Sequence, residues 1–262
     1  MCSSDLLVAA ASRVFHLAAA VGVERVVQSP VRTIETNLRE TEVLFAAAAA
    51  AGTPVLFAST SEVYGRSPKS TFSENDDLVI GPPHVGRWSY ACSKLMDEFL
   101  ALAYHREKQV PVRIVRLFNI VGPRQSGQFG MVLPRFIQAA LRHEPLRIFG
   151  DGTQTRCFCH VADTVEAILR LCAADAAVGE VFNVGNDEPI CIADLARRVV
   201  TLLNSRSPIE FIPYQAVFQS GFEDMQHRRP DLQKLERTTG FRPRISLDAI
   251  IHETARTFQG AR

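Results

Sequence analysis

At 262 residues the chain is long enough to bury one large core, or one domain with a smaller lobe attached. Hydrophobic residues make up 47% and charged residues 22%, the balance of a globular protein rather than a disordered or fibrous one. A net charge of +1 gives no basic field, which sets aside nucleic acid or an acidic membrane surface as partner, and no apolar run reaches the length of a membrane span.

In chain order, "RVFHLAAA" (residues 13–20) reads as a strand running into a loop. Residues 35–51, with their Ala-rich end, predict a helix stopped by Gly52, and residues 54–58 predict the next strand. A polar, Pro- and Gly-containing excursion covers residues 65–86. Residues 88–108 predict a long helix with Leu95, Phe99, Leu102 and Ala103 on its apolar face, followed by a strand at 112–118, "VRIVRLF". Short strands alternating with longer helices give an α/β fold with a parallel sheet. Beyond Gly122 the pieces shorten: helix 132–142, strand 146–149, helix 161–173, strand 180–184, helix 192–203 and strand 209–213. Residues 231–258 read as helical around a turn at "GFRPRIS". This second part is expected to lie across the sheet, leaving a crevice between the two.

The stretch "FASTSEVYG" (residues 57–65) ends an apolar strand in Ser59, Thr60, Ser61 and Glu62. Polar groups at the C-terminal end of a parallel strand usually face a ligand crevice, although a helix cap or a turn would use the same residues. In "WSYACSKLMDE", Tyr90 and Lys94 are four apart and share one helix face. A free phenol has a pKa near 10, and a neighbouring ammonium draws it down toward the range of a working base. Thr60 could share a substrate hydroxyl's proton with Tyr90. Cys92 faces away from that side and reads as a small core filler. The six cysteines (Cys2, Cys92, Cys157, Cys159, Cys172, Cys191) have no disulfide-framework spacing, so a reducing cytoplasm is the expected compartment. "CFCH" lacks a second Cys/His pair at ligand spacing, so no metal site is expected.

These residues sit in a longer series: "HLAAA", "ASTSEVYG", "YACSK", "RLFNIVGPRQ", "GDGTQTRCFCHVAD", "VFNVG" and "FEDMQHRRPD". In that order they resemble the extended short-chain dehydrogenase/reductases that modify nucleotide sugars, namely 4-epimerases, 4,6-dehydratases and UDP-glucuronate decarboxylases. The resemblance implies a Rossmann-type doubly wound parallel sheet with a smaller C-terminal α/β lobe. Residues 1–122 would form part of the NAD-binding domain, and residues 123–262 mainly the nucleotide-sugar lobe, with some segments returning to the sheet. It implies a catalytic triad of Thr60, Tyr90 and Lys94, Lys94 also gripping the nicotinamide ribose. Ala18, Ala19 and Ser59 would lie at the cofactor. Ser61, Asn119, Phe149, Arg156 and Arg228 would hold the nucleotide sugar, with Asn119 and Arg156 at the diphosphate and Phe149 at the base. Tyr64 would be structural and His160 a packing residue.

The family opens on a strand and a Gly-rich turn that cradles the dinucleotide pyrophosphate. Neither is present here, and about 60 residues, two strand–helix units, would be missing. A truncated member is the expectation, a naturally short variant the alternative, with "MCSSDL" reading as a foreign leader. The strand at residues 13–17 would then be an apolar sheet edge, which is an aggregation hazard. Ser61–Glu62 after Thr60, and "HRRP" with Arg228, resemble the decarboxylases; the helix around Tyr90 resembles the epimerases. The expected function is therefore NAD-dependent oxidation of a UDP-sugar at C4, decarboxylase-like, with Glu62 and Arg228 joining the triad. A 4-epimerase is the alternative, and a non-catalytic scaffold is the alternative of another class. A homodimer is the expected assembly.

Overall fold

The computed structural model describes residues 3–22, 26, 28–125, 131–216 and 225–260. The first half runs α1 (Ser3–Ala10), β1 (Val14–His16), α2 (Pro30–Ala51), β2 (Val55–Thr60), α3 (Ser89–Lys108), β3 (Val112–Leu117) and β4 (Ile120–Val121). The second runs α4 (Val132–Leu141), β5 (Leu146–Phe149), β6 (Thr155–Arg156), β7 (Cys159–His160), α5 (Val161–Ala173), β8 (Glu180–Val184), β9 (Ile190–Cys191), α6 (Ile192–Leu202), β10 (Ile209–Ile212), α7 (Gln233–Thr239) and α8 (Leu247–Gly260).

The main sheet is parallel throughout, in the order β1-β2-β3-β8. All four strands therefore point their C-terminal ends the same way, and any crevice outside those ends is where such a sheet takes a ligand. β8 joins this sheet from the second half of the sequence, pairing Arg113 with Glu180 through Leu117 with Val184. On the other side β1 is the edge, and Phe15 and Leu17 are exposed there.

α2 begins five residues before its expected start, because Pro30 occupies the first helical turn, where a missing N–H costs nothing. It ends at Gly52 (φ 70°), whose N–H returns to the Ala48 carbonyl. Its buried residues are Thr33, Asn37, Thr41, Phe45, Ala47 and Ala48, half of them polar. α3 departs further from expectation. Its buried side is Tyr90, Ala91, Ser93, Lys94, Asp97, Glu98 and Ala101, whereas Met96 and Phe99 are exposed. Of the expected apolar face only Phe99 is exposed, Leu95 and Leu102 being half-buried against the cores, while the fully buried side serves the strand ends, where polar groups are needed. Cys92 is likewise exposed and fills no core. Of "MCSSDL" (residues 1–6), which reads as a foreign leader, residues 3–6 open α1, whose Val8 packs with Phe45, Val55 and Phe57 and whose Val8 carbonyl accepts from Thr53 Oγ1 at 2.9 Å.

A separate core lies among α4, β5, α6 and α8, with Leu133, Phe136, Ile137, Leu146, Leu195, Val199, Ile250 and Ile251 at its centre. Each large apolar side chain buried there contributes about 1.5–3 kcal/mol relative to exposure. β5 pairs in parallel with β10 beside it. Two miniature pairs, β4 with β7 and β6 with β9, tie this part to the loops above the sheet. The 65–86 excursion is laced to the C-terminal loop as well: Phe72 N donates to Arg229 O at 2.8 Å, and Asp231 N to Phe72 O at 2.7 Å. That lacing carries Arg228 to the end of β2, where it meets Ser61 and Glu62.

Candidate active site

β2 ends at Thr60, and the chain turns at once into a single 3-10 turn, Ser61–Tyr64. Thr60 Oγ1 accepts from Glu62 N at 3.2 Å, so the capping reading of this hydroxyl is real. The same hydroxyl is hydrogen-bonded to the Tyr90 phenol, which enters from the first turn of α3. The turn closes on Gly65 (φ 60°), where a Cβ would stand 2.2 Å from the Val79 carbonyl oxygen. Sequence and backbone thus fix Thr60 and Tyr90 together.

Burial pushes the Tyr90 phenol well above its ordinary value, and the Glu62 charge adds to the rise; Thr60 and Arg228 pull the other way without prevailing. Lys94 is not among the largest influences on the phenol. Its ammonium lies 3.8 Å from the centroid of the Phe57 ring and 3.4 Å from Asp97 Oδ2. Burial lowers Lys94, against the opposing pull of Asp97, and burial lifts Asp97 to about 6, against the pull of Lys94. Lys94 shares its charge with Asp97 because both sit on the same turn of α3, away from water.

Glu62 lies beside this pair. Arg87 Nη1 donates to Glu62 Oε2, and Arg228 Nη1 stands 3.7 Å from Glu62 Oε1. Arg228 also donates to Ser61 Oγ through Nε (3.2 Å) and Nη2 (2.5 Å). Burial would raise the Glu62 carboxyl, but Arg87, then Arg228 and Arg156, outweigh it and hold the group below its ordinary value of 4.5. A carboxyl lowered in the folded state adds stability that is complete above 4.5 and lost as pH falls through the lower folded value. Arg87 escaped the sequence reading. Its signal was present: a charged residue set between Gly86 and Trp88, three before Tyr90.

Ser59, expected beside the cofactor, donates its hydroxyl to Glu98 Oε1 instead. Glu98 is gripped by Arg116, Nε to Oε1 at 3.0 Å and Nη2 to Oε2 at 2.8 Å. Arg116 Nη1 donates to the Tyr64 hydroxyl at 3.0 Å, which donates to Asn183 Oδ1 at 2.8 Å. This buried chain joins β2, α3, β3 and β8, and Tyr64 serves it as a structural member.

NAD places its own demands on these residues. β1 ends at His16 opposite Phe57, so the exposed Leu17 and Ala18, with Ala19, run out beside the polar end of β2. Asn37 Oδ1 accepts from Ala20 N at 2.8 Å, and Asn37 Nδ2 donates to Ser93 Oγ at 3.1 Å, which pins this loop to α2 and α3. An apolar ledge next to a buried ammonium and a phenol fits the nicotinamide–ribose end of the dinucleotide. No G-x-x-G-x-x-G run occurs in the chain to cradle the pyrophosphate.

The remaining expected contacts come from residues after β3 in the chain. Asn119 (φ 41°) donates from Nδ2 to Cys157 O at 2.9 Å, and Arg156 Nη1 donates to Thr155 O at 2.8 Å while its charge reaches Glu62. Phe149 is half-buried, with the Arg135 guanidinium 5.6 Å from its centroid. His160 caps α5, Nδ1 accepting from Ala162 N at 3.0 Å. Cys2 lies outside the described residues. Among the described residues no three His, Cys, Asp or Glu side chains are grouped to hold a metal ion, and no helix is long and apolar enough to cross a membrane.

The model of the NAD dependent epimerase/dehydratase family matches residues 5–185. A UDP-N-acetyl-alpha-D-glucosaminuronate decarboxylase of Bacillus cytotoxicus is 42% identical over 248 residues, 94% of this chain and 76% of that protein. UDP-glucuronic acid decarboxylase 1 of Danio rerio is 32% identical over 94% of this chain, which spans only 57% of that relative's length. A UDP-glucuronic acid 4-epimerase of Bacillus cereus, solved with UDP-4-deoxy-4-fluoro-glucuronic acid and NAD, superposes with a TM-score of 0.87 at 25% identity, covering 100% of this chain and 79% of that one.

Proposed function

The chain belongs to the NAD dependent epimerase/dehydratase family, and from that premise we propose that it oxidises a UDP-linked sugar acid at C4 and releases the acid carbon as carbon dioxide. The cofactor is NAD, whose chemistry here is to accept hydride from C4. Tyr90 takes the C4 hydroxyl proton, with Thr60 sharing that hydrogen bond. Lys94 and the Ala18–Ala19 ledge meet the nicotinamide ribose. Ser61 and Arg228 meet the sugar, Asn119 and Arg156 the diphosphate, and Phe149 the base. Residues 1–122 serve the cofactor and residues 123–262 mainly the nucleotide sugar, with β8 returning to the sheet.

The observation that carries this reading is the excess of cations around Glu62: Arg87, Arg228 and Arg156 act on a single carboxylate. Such a site suits a sugar that brings a carboxylate as well as its diphosphate. Once C4 is a ketone, the acid is a β-keto acid. Breaking C5–C6 releases carbon dioxide, leaves the electron pair on the C4 oxygen as an enolate, and lets a proton add at C5. The substrate is UDP-glucuronate or its 2-acetamido counterpart. A UDP-glucuronate 4-epimerase is the second reading, favoured by the likeness to the Bacillus cereus structure.

The chain supplied with NAD and UDP-glucuronate is expected to release carbon dioxide. Glu62→Gln should abolish that release while NADH absorbance still appears. C4 inversion with no gas released, and little effect of Glu62→Gln, would establish the epimerase instead.

We also infer a homodimer in the cytoplasm. The outward side of α3 carries Met96 (55% exposed) and Phe99 (61%), and the adjoining α2 exposes Ile34 and Val43. Two adjacent helices with an apolar outer face meet a second copy of themselves across a twofold axis. Phe99→Glu is expected to halve the mass seen by sedimentation; a wild-type chain that is already monomeric rules the pairing out. Fractionation of cells expressing the chain tests the compartment.

A further inference from the structure

The three charged side chains at the end of β2 are not equally deep. Arg87 is 4% exposed, whereas Glu62 is 12% and Arg228 11% exposed. Arg87 lies on the buried side of Glu62, and Arg228 meets the same carboxylate from the C-terminal loop. The position of Arg87 is enforced. It sits in the 3-10 turn Gly86–Trp88, which runs directly into α3 and Tyr90. Trp88 is packed in a cluster with Val63, Tyr64, Phe72 and Phe118, and a Cβ at Gly81 would stand 2.1 Å from its Nε1. The Arg87 guanidinium also lies 5.6 Å from the centroid of the Trp88 indole.

We propose that Arg87 is a positioning residue that holds Glu62 as a fixed, ionised carboxylate beside Tyr90 and keeps it from closing onto Arg228. The 3.7 Å separation between Arg228 Nη1 and Glu62 Oε1 is the structural sign of this division, with Arg228 making its short contact to Ser61 instead. The charged and titratable groups facing Glu62 are Arg87 from the turn before α3, Tyr90 from α3, Arg228 from the C-terminal loop and Arg156 from β6. Glu62 is thereby held by a guanidinium deeper than itself, while Arg228 makes its short contact to Ser61. Resting on the sugar-acid reading above, a Glu62 held back from closing onto Arg228 lets that guanidinium meet a substrate carboxylate. Glu62 then contributes a negative charge next to the reacting centre, and the proton added at C5 does not come from it.

The test reads Glu62 itself. Carboxyl 13C NMR titration, with Glu62 assigned through Glu62→Gln, should place its midpoint below the ordinary glutamate value in the wild-type chain. Arg87→Met should raise the midpoint by at least about one unit, a tenfold change in proton affinity, and Arg87→Lys should largely restore it. A folded Arg87→Met chain with an unmoved midpoint overturns the proposal. If Arg87→Met does not fold, calorimetry on Glu62→Gln and on the charge-neutral double variant Glu62→Gln/Arg87→Met decides. The preference for UDP-glucuronate over UDP-glucose should be the same in both. A further tenfold loss in the double variant would mean that Arg87 touches the sugar directly and would overturn its action through Glu62. The titration needs no substrate. A wild-type chain with no preference for the acid sugar therefore defeats the sugar-acid reading alone, leaving the titration to judge Arg87.

Discussion

Replacing Tyr90 by Phe is expected to remove about 10²–10⁴-fold of the rate of C4 oxidation, the usual weight of a positioned proton acceptor. The ring is retained and the change takes away one oxygen, so the packing around α3 stays and the loss reports the hydroxyl alone. That hydroxyl is bonded to Thr60 and is surrounded by burial and a nearby carboxylate that both oppose its ionisation. A phenol held this far above neutrality serves as a base only where positive charge nearby stabilises its phenolate, and NAD is the family's source of such charge. Wild-type oxidation should therefore quicken as pH rises through the neutral range, and the Phe variant should lose that slope. Affinity for the nucleotide sugar should change little, because the diphosphate contacts are proposed at other residues, Asn119 and Arg156. NADH formation within tenfold of wild type, with the pH slope intact, would remove Tyr90 as the base.

Much of the fold could be read from the residues because local signals and tertiary packing agree. β5 and β8 fall at the expected bounds, and α5 does too, with His160 as its cap and Asp163 in its first turn. Disagreement has physical causes. β4, β6, β7 and β9 are two residues each, shorter than any periodicity can register. α3 buries Lys94, Asp97 and Glu98 while exposing Met96 and Phe99, because counting apolar residues cannot say which side of a helix covers a site. The Thr33–Asn37–Thr41 stripe of α2 was illegible for the same reason.

The site shows the same division. Thr60, Glu62, Tyr90 and Arg228 do gather at the end of β2, and motif order carried that reading, since spacing could not bring residue 228 next to residue 62. The partner of Lys94 was not visible: Asp97 is three residues on, but only burial makes their pairing outweigh a pull on the phenol. Glu98 continues the Tyr90–Lys94 spacing by another four, and Arg116 is one of two arginines, with Arg113, in the otherwise apolar strand β3. Those two irregularities together pointed to a buried ion pair.

That pair makes the second large expectation a matter of stability. Glu98 and Arg116 are almost wholly buried and meet through two parallel hydrogen bonds, with Ser59 donating to the same carboxylate. Glu98→Ala removes the carboxylate and leaves a guanidinium that cannot lose its proton inside the protein, with Tyr64 and the Glu74 carbonyl as its remaining acceptors among the described residues. Breaking a buried pair in this way costs about 3–5 kcal/mol, far more than the pair's net contribution relative to apolar residues of the same shape. Urea unfolding of Glu98→Ala should show a loss of that size, and replacing Arg116 with Leu in the same chain should recover part of it by removing the stranded charge. The catalytic consequence follows the same atoms. Without Glu98, Ser59 and α3 lose their common anchor, so any folded fraction should oxidise substrate more slowly while Tyr90 is still present. A loss below about 1 kcal/mol would mean that water reaches Arg116 and that the network does not set the register of α3 on the sheet.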